Sequence, residues 1–153
     1  MSFRIVEIDG IQCNNRRRIY FLTEVQTTSK NDALSAFNKL KDKDKRYFFA
    51  SFQSWVDGVI NKNRYHGWDQ KDHRGEFKEN FVFKNNRNGI RFYGRLCKPV
   101  SKLPRCECCI LIVKIVKKEF EINPSDIKRV NERFNLPAAQ EALCKFFSQR
   151  GEL

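Results

Sequence analysis

The sequence predicts a single α+β domain in which helices pack against one β-sheet. Three observations support this prediction: two β-rich segments at residues 3–8 and 17–25, two amphipathic helical stretches after them, and three later strand-like segments followed by helices. The chain has 153 residues, of which 41% are hydrophobic and 31% charged, as is typical of a folded domain with its own core.

The first half of the chain predicts a β-hairpin followed by a helix pair. Asp9-Gly10 and Asn14-Asn15 are turn formers between the first two strands. Ser29 or Asn31 can cap the first helix, and the charged run 41–45 predicts a break or a solvated turn before the second. The two helices carry apolar side chains at helical spacing: Ala33, Leu34, Phe37 and Leu40, then Phe48, Phe52, Trp55, Val56 and Val59.

The second half predicts three antiparallel strands and then one or two helices. Residues 62–75 show no period and predict a polar loop, while 77–84, 90–97 and 108–117 are strand-like. The last of these strands is apolar on both faces, which indicates a central position. Asn123 and Pro137 begin the final helices, Asn123 as an N-cap before a proline.

The charge of the chain points to a polyanionic partner. Residues 61–118 hold 15 basic and five acidic side chains, so they carry +10 of the total net charge of +12. The chain opens without an apolar leader, and its longest apolar run, 108–113, is too short to span a bilayer. These features predict a cytoplasmic protein with reduced thiols and no membrane partner.

The strand 90–97 is the most informative segment for function. Ile90, Phe92, Gly94 and Leu96 alternate with Arg91, Tyr93 and Arg95, so one face belongs to the core and the other carries two guanidiniums around a phenol. Arginine binds phosphate through a bidentate fork, and tyrosine stacks on bases or transfers a proton. The alternative is an ordinary solvated sheet face, for which these residue types are common.

Other basic residues extend this hypothesis. Lys114, Lys117 and Lys118 follow on the next strand and some of them can join the arginine face, although lysines also end strands for solubility. In 62–75, basic and aromatic side chains alternate around two histidines, as in proteins that bind single-stranded nucleic acid. The segment contains Arg64, Tyr65, His66, Trp68, Lys71, His73 and Arg74, of which Trp68 could equally pack into the core.

The cysteines raise the question of a metal or redox module. Cys97, Cys106, Cys108 and Cys109 cluster in sequence, but their spacing lacks the paired turns typical of zinc sites. Burial of Cys108 and Cys109 as small apolar residues of a strand is the favoured interpretation. The sequence therefore predicts neither a metal nor a cofactor, and it contains no P-loop or dinucleotide-binding motif.

One resemblance runs through the second half of the chain. Three motifs in this order resemble the pattern of RelE/HigB toxins, especially their phage-derived, mobile-element branch. They are Gly89-Ile90-Arg91-Phe92-Tyr93, Ile112-Val113-Lys114-Ile115-Val116-Lys117-Lys118 and Asn123-Pro124-Ser125-Asp126-Ile127. The match covers about residues 77–134, and the order and spacing of the motifs carry it. The helix pair before the sheet also suits this family.

The resemblance implies a RelE-like antiparallel sheet packed against helices, here within one domain spanning 1–153. The family-like core would cover about 30–135, with an extra N-terminal hairpin and C-terminal helix. It also implies a toxin-type endoribonuclease, an mRNA interferase, that cleaves mRNA on or off the ribosome, needs no metal and is neutralised by a cognate antitoxin.

The residue roles follow by position. Arg91, Tyr93, Lys117 and Lys118 would form the catalytic set, and RNA would also contact Arg64, Arg74, Arg87, Arg95 and Lys114. Family members often carry a Tyr or His near the C-terminus, and this chain has neither after residue 120. A second hypothesis is therefore a non-catalytic nucleic-acid-binding or regulatory relative of the same fold.

Overall fold

The computed structural model describes residues 1–27, 29–69, 72–117 and 123–153, without the side chains of Asp72 and His73. The described residues form an α+β fold of six strands and four α-helices, with a short 3₁₀ helix at Asp72–Gly75. The strands are β1 (Phe3–Glu7), β2 (Arg17–Glu24), β3 (Tyr65–Gly67), β4 (Asn80–Lys84), β5 (Ile90–Cys97) and β6 (Glu107–Val116). The helices are α1 (Ala33–Asn38), α2 (Asp42–Val56), α3 (Pro124–Phe134) and α4 (Pro137–Gln149).

The strands form one mixed sheet in the order β1-β2-β6-β5-β4-β3. The predicted N-terminal hairpin and the central position of β6 are confirmed. The prediction of a purely antiparallel sheet is wrong, because β2 and β6 run parallel, from Arg17 opposite Glu107 to Phe21 opposite Leu111. Parallel neighbours need a long crossover, and here α1, α2 and the β3–β5 strands lie between them in the chain.

Helices cover both faces of the sheet, and each face has its own hydrophobic cluster. On the first face, the rings of Phe48, Phe52 and Trp55 from α2 pack against Phe83 and Phe92 of the sheet. On the second face, Ile127, Val130, Leu143 and Phe147 of α3 and α4 join a cluster that includes Ile110, Ile112 and Tyr93. Because both faces are covered, the central strand is apolar in both directions, as predicted.

The helix starts agree with the sequence prediction only in part. Asn123 caps α3, where its Oδ1 accepts a hydrogen bond from the Ser125 N–H at 3.0 Å, as predicted. Asp32 caps α1 instead of Ser29 or Asn31, and its Oδ2 accepts from the Ser35 N–H at 3.1 Å and from Thr23 Oγ1 at 2.8 Å.

The predicted break at 41–45 is also wrong, because α2 already begins at Asp42. Asp42 and Asp44 lie in its first turn, where carboxylates interact favourably with the helix dipole. The charged run is therefore the first turn of a helix, and the break is confined to the residues before it.

The segment 62–75 is not wholly a loop. Tyr65–Gly67 forms the edge strand β3, which pairs antiparallel with β4 from Tyr65 opposite Phe83 to Gly67 opposite Phe81. A strand of three residues is too short to produce a visible period in the sequence. The pairing fixes the faces on which the side chains of this segment lie.

Candidate functional site

Strand register places His66, Lys84 and Arg91 on the face of the sheet that α3 and α4 cover; we call these three residues the basic cluster. His66 lies opposite Val82, and Lys84 lies opposite Arg91. Side chains directly opposite each other on antiparallel strands, and those two residues apart on one strand, project to the same face. The basic cluster therefore spans β3, β4 and β5 near one end of the sheet.

The turn between β4 and β5 sets this register. The Gly89 N–H donates to the Asn85 carbonyl and the Asn85 N–H to the Ile90 carbonyl, both at 2.9 Å. Gly89 has a φ of 75°, and a Cβ there would lie 1.9 Å from the Lys117 carbonyl oxygen. Only glycine therefore fits this position. The two hydrogen bonds close the turn and hold Lys84 opposite Arg91.

The charges of the basic cluster act on one another. The pKa of His66 is lowered, first by burial and also by the nearby positive charges of Lys84 and Arg91. The pKa of Lys84 is likewise lowered by burial and by Arg91. At neutral pH His66 is therefore an uncharged imidazole beside two cations.

The orientation of His66 determines which nitrogen can accept a proton. Its Nδ1 lies 2.9 Å from the Gly67 carbonyl oxygen, which can only accept a hydrogen bond. In the neutral ring Nδ1 therefore carries the proton and Nε2 has the lone pair. The ring packs edge-on against Trp68, with centroids 5.1 Å apart, which restrains its orientation.

Of the two predicted catalytic lysines, Lys117 lies beside the basic cluster and Lys118 lies outside the described residues. The Lys117 N–H donates to the Gly89 carbonyl at 2.8 Å, and Lys117 Nζ lies 2.5 Å from Asp126 Oδ2. Both side chains are largely buried, so Asp126 in the first turn of α3 offsets this positive charge.

The predicted position of Tyr93 outside the core is wrong. Tyr93 is 1% exposed and belongs to the hydrophobic cluster under α3, with Val82 and Val113 on the neighbouring strands. The alternation of β5 is preserved, but α3 and Phe77 cover the face that the sequence suggested was open. The ring of Tyr93 therefore has no exposed surface on which a base could stack.

Arg95 is held at the other end of β5. Its Nη1 donates to Asn131 Oδ1 at 2.7 Å, and its Nη2 forms an ion pair with Glu79 Oε2 at 3.2 Å. Its guanidinium carbon also lies 4.8 Å from the centre of the Phe134 ring. These contacts tie β5 to α3, and they use most of the guanidinium.

A β-bulge places Lys114 on the opposite face from Arg91. Tyr93 lies opposite Val113 and Gly94 opposite Leu111, so Ile112 is the extra residue of β6. Gly94 permits this close approach, since a Cβ there would lie 2.5 Å from the Ile110 carbonyl oxygen. Beyond the bulge Lys114 lies opposite Phe92, so it faces α1 and α2 instead of joining the arginine face.

The remaining predicted RNA contacts divide into one held residue and two exposed ones. Arg64 Nε donates to Ser51 Oγ at 2.8 Å, its Nη2 donates to the Tyr47 carbonyl at 2.7 Å, and it stacks 4.2 Å above the Tyr47 ring. Arg64 thus fastens the start of β3 to α2. Arg74 and Arg87 are exposed, on the 3₁₀ helix and on the β4–β5 turn, and are accessible to a ligand.

Lys84 is a residue of the basic cluster that was not predicted from the sequence. The available signal was the hairpin itself, because Lys84 and Arg91 are equally distant from the centre of the turn at 85–90. His66 was predicted to lie within a polar loop, but it belongs to the strand β3, two residues along the sheet from Lys84.

Three of the six cysteines are buried thiols. Cys106, Cys108 and Cys109 are 0% exposed, and Cys97 lies opposite Cys108 on the neighbouring strand. Burial raises the pKa of Cys97 to about 12, and it also raises the pKa values of Cys108 and Cys109. Among the described residues, no group of three or more His, Cys, Asp or Glu side chains could hold a metal ion.

In the part of the chain that the structure describes, every helix is too short or too polar to cross a bilayer. Comparison with protein-family models, with curated proteins and with solved structures finds no match. The case for function therefore depends on the geometry and chemistry of the residues themselves.

Proposed function

We propose that the protein is a metal-independent endoribonuclease of the RelE/HigB type, with the basic cluster as its active site. One observation supports this most strongly: an imidazole with a lowered pKa lies on the same sheet face as Lys84 and Arg91. Such a set provides a proton acceptor together with positive charge, which is what cleavage through a ribose 2′-OH requires. Two cations also disfavour a divalent metal at this place.

In the proposed reaction His66 Nε2 removes the proton of the 2′-OH. The 2′ oxygen then forms a bond to phosphorus, and the bond from phosphorus to the 5′ oxygen breaks. Arg91 stabilises the negative charge that grows on the phosphoryl oxygens, and Lys84, a stronger acid because its pKa is lowered, donates a proton to the 5′ oxygen. The products are a 2′,3′-cyclic phosphate and a 5′-hydroxyl.

The partners follow from the same surface. RNA, free or on the ribosome, would extend from the basic cluster across the exposed Arg87 and Arg74. A cognate antitoxin would cover the cluster with acidic side chains and exclude RNA.

The second candidate function is a non-catalytic nucleic-acid-binding relative of the same fold. It is favoured by the burial of Arg91, which is 7% exposed, and of Tyr93, and by the pairing of Lys117 with Asp126. A protein that only binds RNA would use the exposed cations and would need no proton acceptor.

An RNA cleavage assay in the presence of a chelator tests the proposal. We expect the wild-type protein to cut an RNA oligonucleotide, to leave 2′,3′-cyclic phosphate ends, and to spare the same oligonucleotide with a 2′-deoxy group at the cut. His66→Gln should slow cleavage by about 10² to 10⁴, the usual contribution of a general base. His73→Gln is the matched control and should cleave at the wild-type rate.

Three results would contradict the proposal. Binding without cleavage by the wild-type protein would favour the non-catalytic relative. Equal cleavage rates in His66→Gln and wild type would show that His66 is not the proton acceptor. A loss of cleavage confined to His73→Gln would assign that role to His73.

A further inference from the structure

A cleft of about 530 Å³ opens beside the edge strand β3, within the size range of ligand sites. We call it the aromatic cleft. Its lining includes four aromatic side chains below and two aliphatic ones at the rim: Trp55, Tyr65, Trp68 and Phe81, with Val59 and Ile60.

The floor of the aromatic cleft is rigid. The Phe81 ring lies 5.7 Å from Trp55 and 6.2 Å from Tyr65, measured between ring centres. Trp68 is fixed from the side by Phe77, at 5.8 Å. These rings are set in the sheet and in α2, so the cleft exists before any ligand arrives.

The rim presents apolar side chains to solvent in a fixed position. Ile60 is 85% exposed and Val59 is 50% exposed. The backbone that carries them is held, because the Val59 N–H donates to the Ser54 carbonyl at 3.0 Å and Tyr65 Oη donates to the Val59 carbonyl. Ordered apolar side chains next to an aromatic floor indicate a binding surface.

The charges beside the cleft identify the chemistry of the ligand. Arg17 lies over the Trp55 ring at 4.9 Å with its Nη1 bound to the Trp55 carbonyl, and Lys62 is exposed beside it. Asp69 is the one carboxylate that lines the cleft in the described chain. Trp55, Tyr65 and Phe81 are buried, so the ring surface that the cleft presents is that of the half-buried Trp68, beside the exposed Val59 and Ile60. This surface, with two cations at its edge, suits a flat, unsaturated ring attached to phosphate.

We propose that the aromatic cleft binds an unpaired nucleobase of a single-stranded nucleic acid, with Arg17 and Lys62 contacting the phosphates of the same strand. This inference rests on the proposed function and extends it, because His66 lines the cleft and also belongs to the basic cluster. A base held in the cleft leaves the adjoining phosphodiester beside His66. The cleft thus selects which nucleotide is presented for cleavage.

Binding of a short deoxyadenosine oligomer, followed by tryptophan fluorescence, tests the cleft separately from catalysis. The oligomer lacks the 2′-OH and cannot be cleaved by the proposed route. The matched ligand has the same backbone with abasic sites in place of the bases. We expect the base-bearing oligomer to bind roughly tenfold more tightly or better, since stacking of a base on aromatic rings has that effect.

Substitutions locate the contact. Val59→Ser and Trp68→Ala should bring the affinity for the base-bearing oligomer close to that for the abasic one, while Trp68→Phe keeps most of the difference. Val25→Ser is the matched control, since Val25 is 42% exposed and follows the far end of β2. Val59 is half exposed, so Val59→Ser tests the cleft even if Trp68→Ala fails to fold.

The outcomes separate this inference from the proposed function. Equal affinities for the two oligomers, or equal effects of Val59→Ser and Val25→Ser, would overturn the inference even if RNA is cleaved. Base-dependent binding by a protein that cleaves no RNA would sustain the inference and reject the endoribonuclease. An apolar dye that binds the cleft when neither oligomer does would identify a protein-docking surface and overturn it.

Discussion

The two arginines of β5 lie four residues apart on one face of the same strand, and they act on different described neighbours. Arg95 is enclosed by the Glu79 carboxylate, the Asn131 amide and the Phe134 ring. Arg91 lies opposite Lys84 and close to His66, and after burial its positive charge is a further cause of the lowered pKa of both. The two arginines therefore hold equivalent positions in the alternating pattern of β5 but have different roles. Arg95 joins β5 to α3, and Arg91 contributes to the lowered pKa of its neighbours.

Replacement of Arg91 should give the largest effect on function. Arg91→Ala should lower the single-turnover rate of RNA cleavage by about 10² to 10³, the cost of losing one donor to a transition-state oxyanion. Induced expression of this variant should no longer arrest growth or create new mRNA ends. Arg87→Ala, which removes an exposed arginine of the adjoining turn, should weaken RNA binding without this loss of rate. Equal losses in the two variants would reject the distinction.

Replacement of Arg95 should instead affect stability. Arg95→Ala leaves Glu79 and Asn131 without their donor, so the free energy of unfolding in urea should fall by about 1–3 kcal/mol. Cleavage per folded molecule should stay at the wild-type level. The exposed Arg87→Ala should change the unfolding free energy by less than about 0.5 kcal/mol. A slow but fully stable Arg95→Ala protein would place Arg95 in the active site instead.

The lowered pKa of His66 predicts a pH dependence of stability. Between that pKa and the ordinary value of 6.5, the unfolded chain binds more protons than the folded one, so acid favours unfolding. The unfolding free energy should therefore fall as the pH drops through 6.5, and His66→Gln should remove this part of the dependence. Urea midpoints of both proteins between about pH 5 and pH 8 measure it, and superimposable profiles would show that His66 titrates normally.

Removal of the Tyr93 hydroxyl should have the smallest effect. In the described chain Tyr93 Oη is buried without a hydrogen-bond partner, so Tyr93→Phe should leave stability unchanged or raise it by up to about 1 kcal/mol. Cleavage should be unaffected, because the ring is fully buried. A marked drop in rate would restore the hypothesis that Tyr93 orients the substrate, and Tyr20→Phe controls for the loss of another buried phenol.

The sequence predicts most elements because their signals are local. The start of α3, with Asn123 as its N-cap and Pro124 as its first residue, depends on neighbouring residues. So does the alternation in β5, and the structure confirms both. The parallel pairing of β2 with β6 depends on residues about ninety positions apart, which no local pattern records. The strand β3 is hidden for a different reason, because three residues are too few to show a period.

The site is less predictable than the fold because it depends on what covers each face. The alternation around Tyr93 is correct, but the sequence does not say that α3 lies over it. The extra residue at Ile112 reverses the face of Lys114, and the signal in the sequence for this bulge was Gly94 in the interior of β5. The part of the site that was predictable is Arg91, and its neighbours Lys84 and His66 follow once the register is known.

The parallel contact between β2 and β6 has a consequence for the order of events during synthesis. Residues 17–21 leave the ribosome long before 107–111, their partners at the centre of the sheet. Until then β1 is the only strand beside β2, and the ring of Tyr20, which packs on Phe146 and Phe147 of α4, remains exposed to water and to chaperones. Closing so long a loop also lowers the conformational entropy of the chain before any stabilising contact between β2 and β6 has formed. A nascent chain of this protein therefore stays unable to complete its sheet until residues 107–111 have been made.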